Sequence, residues 1–179
     1  KEVAGIGARK EFAHELSGAE AIQKHHDRGR LTVRERIDHL LDNKSFREQG
    51  PIAGGSETDE QGELKSFTPA NYVVGFGKIS DRPCIVGGED FTLKGGSPSS
   101  AGFRKSVWAE ELACRYRFPL IRFLEGGGGS VPRGNNKSET TGNMESVNAP
   151  PRFMSVMQAM ATVPVASAAL GAVAGLPAA

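Results

Sequence analysis

Histidine is scarce in this chain and poorly placed to act as a base. There are four in 179 residues, at positions 14, 25, 26 and 39, all in the first forty. No GxSxG elbow surrounds Ser97 or Ser130, so nothing local supports a serine nucleophile with its own base. Cysteine is scarcer still: Cys84 and Cys114 form no CxxC pair and have no histidine close by in sequence. That argues against a structural zinc and for a reducing compartment. Charge of either sign is not in excess, with a net of +1, so no general attraction to nucleic acid or to a membrane surface follows. Long apolar runs are missing. The least polar stretch, 161–179, is broken by Pro164 and Pro177 and reads as a buried strand and turn, not a span. Lys1 to Lys10 lacks the apolar segment of a signal peptide. No GxGxxG follows a strand, and Gly129-Ser130-Val131-Pro132-Arg133-Gly134 leads into Asn135-Asn136, without the lysine of a phosphate loop. The chain starts without Met and stops in Gly-Leu-Pro-Ala-Ala, and the expectation is a fragment of something longer.

Glycine, by contrast, is abundant, with 23 residues, and its placement organises the chain. Leu120-Ile121-Arg122-Phe123-Leu124 is an apolar run of strand length that enters Glu125 and then four glycines, Gly126 to Gly129. In open α/β sheets ligands bind at the carboxyl ends of strands. Bare backbone there can approach a ligand closely and present N–H groups to a developing oxyanion. A second strand, Val163 to Leu170, also runs into small residues, Gly171-Ala172-Val173-Ala174-Gly175. Two such turns could aim two sets of amides at one oxygen.

The rest of the chain supplies the frame. Phe12, Leu16, Ala19 and Ile22 predict one amphipathic helix over 8–26, with His25 and His26 at its end. Thr32-Val33-Arg34-Glu35 is a capping box opening a second helix with Ile37, Leu40 and Leu41 as its buried stripe. Phe46-Arg47-Glu48 reads as a short edge strand, and 50–62 as a polar, mobile loop. Tyr72 to Ile79 and Cys84 to Gly88 read as a hairpin turned at Ser80-Asp81-Arg82-Pro83. Ala101 to Tyr116 reads as a helix capped by Ser99 or Ser100. Pro150-Pro151 opens a last helix whose stripe, Phe153, Met154, Met157 and Met160, reads as core filler. The paired acids Glu89-Asp90 and Glu110-Glu111 read as solvated faces.

Three blocks carry a resemblance. Gly29-Arg30-Leu31-Thr32-Val33-Arg34-Glu35-Arg36-Ile37 with Leu40-Leu41-Asp42 is similar to the opening signature of acyl-CoA carboxyltransferase subunits of the propionyl-CoA and methylcrotonyl-CoA carboxylase beta type. Thr68-Pro69-Ala70 with Val73 to Ile79 resembles the next block, and Asp90-Phe91-Thr92-Leu93-Lys94-Gly95-Gly96-Ser97 resembles the family's DFT-x-x-GGS. The resemblance implies an α/β, crotonase-like fold of repeated ββα units behind an N-terminal helical arm. The division is 1–50 for the arm and 51–179 for the first carboxyltransferase domain, ending before a second domain. It implies transfer of CO2 from carboxybiotin on a separate carrier to an acyl-CoA, with biotin itself taking the substrate proton. Implied partners are a biotin carboxylase and biotin carrier subunit and further copies of the chain in a hexamer. Implied surroundings are the cytoplasm, or the mitochondrial matrix in a eukaryote.

The resemblance also nominates residues. Gly127 and Gly128 occupy the two glycines of a D-S-G-G-A-R segment whose acid is Glu125 here and whose Ser and Arg are changed. Ala174-Gly175-Leu176 stands for an A-G-G turn. These four, Gly127, Gly128, Ala174 and Gly175, are the expected oxyanion residues. Lys94, Gly95, Gly96, Ser97, Arg104, Lys105 and Arg133 are the expected contacts to coenzyme A. No residues are nominated for a metal. The changed glycine motif leaves two other readings: a non-catalytic subunit that scaffolds an oligomer, and a biotin-dependent acyl-CoA decarboxylase subunit.

Overall fold

In the computed structural model, residues 2–97, 99–127 and 152–174 are described; Gly128, Arg133 and Gly175 lie outside them. The centre of the fold is the hairpin read from the sequence. Strands β4 (Tyr72–Ile79) and β5 (Arg82–Glu89) pair antiparallel. They are joined by Ser80 and Asp81, both at positive φ, as a two-residue turn matched to the strand twist requires. Asp42 holds that turn, its carboxylate accepting from the amides of Ser80 (2.9 Å) and Asp81 (2.7 Å).

The chain then crosses through helix α4 (Ser100–Tyr116) to β6 (Leu120–Gly126), which lies parallel to β5. It crosses again through α5 (Arg152–Thr162) to β7 (Val165–Val173), parallel to β6. With the edge pair β1 (Arg47–Glu48) beside β4, the order is β1-β4-β5-β6-β7. Alternation along the strands sorts the core into two layers. Tyr72, Val74, Ile85 and Leu120 face α4 and α5 and pack with Ala109, Leu112, Ala113, Ala159 and Val163. Val73, Cys84, Val86 and Phe123 face the other way, onto Val33, Ile37 and Leu41 of the helix α3 (Val33–Leu40) and its C-terminal flank. Both α3 and β1 therefore pack into the sheet's own layers. The capping box forms as read: Glu35 N donates to Thr32 Oγ1, and Thr32 N donates back to the Glu35 carboxylate at 2.7 Å. Burial alone would raise the Glu35 acid, but hydrogen bonds from His26 and Thr32 hold it below the ordinary range.

Several expectations are corrected. The single helix over 8–26 is two, α1 (Glu2–His14) and α2 (Ala19–His26). Leu16 and Gly18 adopt positive φ between them, which no continuous helix tolerates. The loop at 50–62 contains β2 (Gly54–Thr58), paired with β3 (Leu64–Pro69) in a separate two-stranded sheet. The stripe of α5 points outward: Phe153, Met154, Met157 and Met160 are exposed, while Ala159 and Val163 face α4. Strand β7, read as buried, is half-buried to exposed along its length. Glu89, Asp90 and Glu110 are buried, not solvated.

Candidate active site at the strand ends

Three of the predicted stretches meet at the carboxyl ends of β6 and β7. The first is the turn Lys94–Gly96, where Lys94, Gly95 and Gly96 all take positive φ. The second is Gly126–Gly127, where β6 ends. The third is Val173–Ala174, where β7 ends. Gly96 and Gly126 touch backbone to backbone. A Cβ on Gly96 would stand 2.4 Å from the Glu125 carbonyl oxygen, and one on Gly126 would stand 2.6 Å from the Gly96 carbonyl oxygen. Neither position admits a side chain, and Gly96 needs its left-handed φ as well. Ser97 Oγ donates to the Gly127 carbonyl at 2.8 Å, and Ala174 N donates to the Gly126 carbonyl at 2.9 Å. The described ends of the two strands thus lie side by side, while Gly128 and Gly175 of the expected bends lie outside the described residues.

These bonds revise two roles. The Ala174 amide is committed to Gly126, so it aligns the bend and is not a donor to a substrate oxygen. The Ser97 hydroxyl is likewise engaged with the Gly127 carbonyl. Lys94 is exposed beside the turn. Arg104 is exposed on α4 and lines a cleft of about 400 Å³ with Gly50, Ile52, Ala101 and Trp108. Lys105, expected as a surface partner for phosphate, is corrected: it is 5% exposed. Its ammonium lies 3.7 Å from Glu48, which also takes Arg34 at 2.8 Å. Burial, reinforced by the nearby Arg34 charge, pushes the Lys105 ammonium down from 10.5 to about 8 against the pull of Glu48.

Asn71, which has no sequence signal, and residues read from the sequence in other roles complete the frame. Asn71 is buried at the start of β4. Its side-chain amide donates to the Ser97 carbonyl, and its Oδ1 accepts from Ser99 N and Ser99 Oγ. Ser99 in turn caps α4 by accepting from Gly102 N at 3.0 Å. Asn71 therefore links the glycine turn to the helix start. Asp90 begins the same turn: its Oδ1 accepts from Thr92 N and Thr92 Oγ1, and its burial raises its acid above the ordinary range. Glu125, the last side chain before the bend, is buried and met by Arg30 and by Arg36 of α3. Arg30 Nη1 lies 3.0 Å from one of its oxygens and Arg36 Nη1 against the other. Among the described residues no group of three or more His, Cys, Asp and Glu could hold a metal. Among them, too, no helix is long and apolar enough to cross a membrane.

A family model for the carboxyl transferase domain matches residues 24–175. The chain belongs to the carboxyl transferase domain family. Among curated proteins, the chain is 37% identical over 121 residues to the biotin-dependent 3-methylcrotonyl-coenzyme A carboxylase beta1 subunit of Mycobacterium tuberculosis, covering 66% of this chain and 22% of that one. It is 34% identical over 132 residues to the methylmalonyl-CoA carboxyltransferase 12S subunit of Propionibacterium freudenreichii subsp. shermanii, covering 73% and 25%. Among solved structures it resembles transcarboxylase 12S, a hexamer with methylmalonyl-coenzyme A and methylmalonic acid bound. The TM-score there is 0.61 at 30% identity, over 72% of this chain and 25% of that one. A single-chain, multi-domain long-chain acyl-CoA carboxylase gives 0.69 at 26% identity, over 93% of this chain and 17% of that one. The carboxyl transferase fold is crotonase-like, and the β4-β5-α4 unit followed by β6 is the repeat expected. The chain spans about a quarter of the length of the curated relatives it matches.

Proposed function

We propose that this chain is the acyl-CoA-binding part of a biotin-dependent acyl-CoA carboxyltransferase. The observation that supports it most is the meeting of the Gly96 turn, the Gly126–Gly127 bend and the end of β7 at adjacent parallel strand ends, in a member of the carboxyl transferase family. When bound, carboxybiotin on a separate carrier would supply CO2, and the biotin left behind would accept the substrate proton. The chain then needs no histidine as base, in keeping with its four histidines all lying in the first forty residues. Its own task is to hold the thioester carbonyl while that oxygen becomes anionic. That role falls to the amide of Gly127, with those of Gly128 and Gly175, which lie outside the described residues. Losing one such donor costs about 3–4 kcal/mol of transition-state stabilisation. The open space beside Gly127, where a Cβ would meet nothing within 4 Å, fits a ligand that must approach the chain closely.

Exposed Lys94 and Arg104 are assigned to the phosphates of coenzyme A. Further copies of the chain and a biotin carboxylase with its carrier are the proposed partners, in the cytoplasm or the mitochondrial matrix. The proposal is tested by titrating propionyl-CoA into the chain in a calorimeter, then assaying carboxyl transfer from free carboxybiotin. Weak binding with no turnover by residues 1–179 alone is expected. Absence of any binding at millimolar propionyl-CoA would favour a scaffolding subunit.

A further inference from the structure

Glu125 is held on every side. Its carboxylate is 1% exposed and lies between Arg30 and Arg36, with His25 Nε2 at 3.9 Å. Its amide donates to the buried Glu89 at 3.3 Å. Its carbonyl oxygen is the atom that closes the space over Gly96. Across the strand pair, Gly171 makes room for it: a Cβ there would stand 2.3 Å from Glu125 Oε1. The register also breaks at this point. Leu124 pairs with Ala169 but Gly126 pairs with Val173, so β7 carries extra residues opposite Glu125. Irregularities of this kind re-aim the strand that follows. The residue after Glu125 is the one whose carbonyl receives Ala174.

A buried ion cluster is a weak source of stability, since apolar residues of the same size often serve as well. Its geometric demands are strict, however, because each guanidinium must meet a fixed oxygen. We propose that Glu125 is a positioning residue. Clamped by Arg30 and Arg36 of the arm, it sets the path of β6 into the Gly126–Gly127 bend, and so the placement of the amides that serve the substrate oxygen. The arm is then part of the catalytic apparatus although it touches no substrate. This rests on the carboxyltransferase reading.

The test compares Glu125→Gln, Glu125→Asp, Arg30→Gln and the paired Glu125→Met/Arg36→Met in the intact protein. Three quantities are followed: thermal midpoint, amide hydrogen exchange in peptides covering 124–127 and 170–174, and steady-state carboxyl transfer to propionyl-CoA. Glu125→Gln is expected to speed exchange at the bend and lower kcat at least tenfold, with KM within twofold. Glu125→Asp should recover part of kcat. The Met pair should recover the thermal midpoint without recovering kcat. If Glu125→Gln does not fold, Arg30→Gln carries the test, with a smaller loss of kcat in the same pattern. Unchanged exchange at the bend in a folded Glu125→Gln would overturn the proposal, as would kcat that simply follows the thermal midpoint across the set. If the wild type binds no propionyl-CoA while Glu125→Gln still loosens the bend, the carboxyltransferase reading fails and the control of the bend by Glu125 stands.

Discussion

Strands β6 and β7 run side by side in the same direction, and each ends in a turn of small residues. One is the middle of the molecule and the other its surface. Leu120 and Phe123 of β6 are buried, with Leu120 1% exposed, whereas Leu170 of β7 is 41% exposed. The difference lies in what the side chains can bury. Strand β6 carries Leu, Ile and Phe, each with enough apolar area to draw a neighbour over it. Apart from Leu170, strand β7 is Ala, Ser, Gly and Val, smaller side chains that offer less apolar area to a neighbour. An apolar composition therefore marks a strand without saying whether it is central.

The sharpest way to break this contrast is a matched pair of truncations. Leu120→Ala should cost about 2–5 kcal/mol, as for other fully buried leucines, whereas Leu170→Ala should change stability by less than about 0.5 kcal/mol. Chemical denaturation of both variants measures it, and equal losses would show β7 to be as central as its partner. Gly171→Ala tests a place where β7 is tightly constrained. It pushes a methyl group onto the buried Glu125 carboxylate and should cost about 1–3 kcal/mol.

The smallest effect is a pH dependence inside the buried half. The Lys105 ammonium is held near 8 in the fold and near 10.5 unfolded. Between those values the unfolded chain binds more protons, so stability rises with pH across that window, by about 1–2 kcal/mol from pH 8 to pH 10. Below pH 8 both states are protonated and the cost of burying the charge is constant. Lys105→Met should flatten the rise in denaturation curves taken from pH 7 to pH 10, and an unchanged slope would refute the assignment.

Much of the frame was legible because its signals are local. The Thr32/Glu35 capping box, the Ser80-Asp81 turn, the Ser99 cap and the Leu120–Leu124 run each declare themselves within a few residues, and each forms. The nearness of the ends of β6 and β7 was legible through the rule that ligands gather at strand ends and through the family resemblance. What the sequence hid depends on distant partners. Helix α5 forms, but the stripe read as core points outward, and Ala159 with Val163 just past the helix end packs inward instead. Lys105 reads as a surface cation until Glu48, far away in sequence, is placed beside it. Asn71 carries no motif, and its role exists only once the Ser97–Ser99 segment lies against it. The Glu125 cluster joins the arm to β6 through residues that were singled out for other reasons.

The bond from Ala174 to Gly126 has a consequence for how the molecule comes into being. It joins segments separated by a complete crossover, and closing so long a stretch of chain is entropically slow compared with forming the β4–β5 hairpin. During synthesis the hairpin, α4 and β6 can assemble while the end of β7 is still inside the ribosome, so the nascent domain is a stable platform before it is a site. The glycine corner closes only when β7 docks and the Ala174 amide reaches the Gly126 carbonyl.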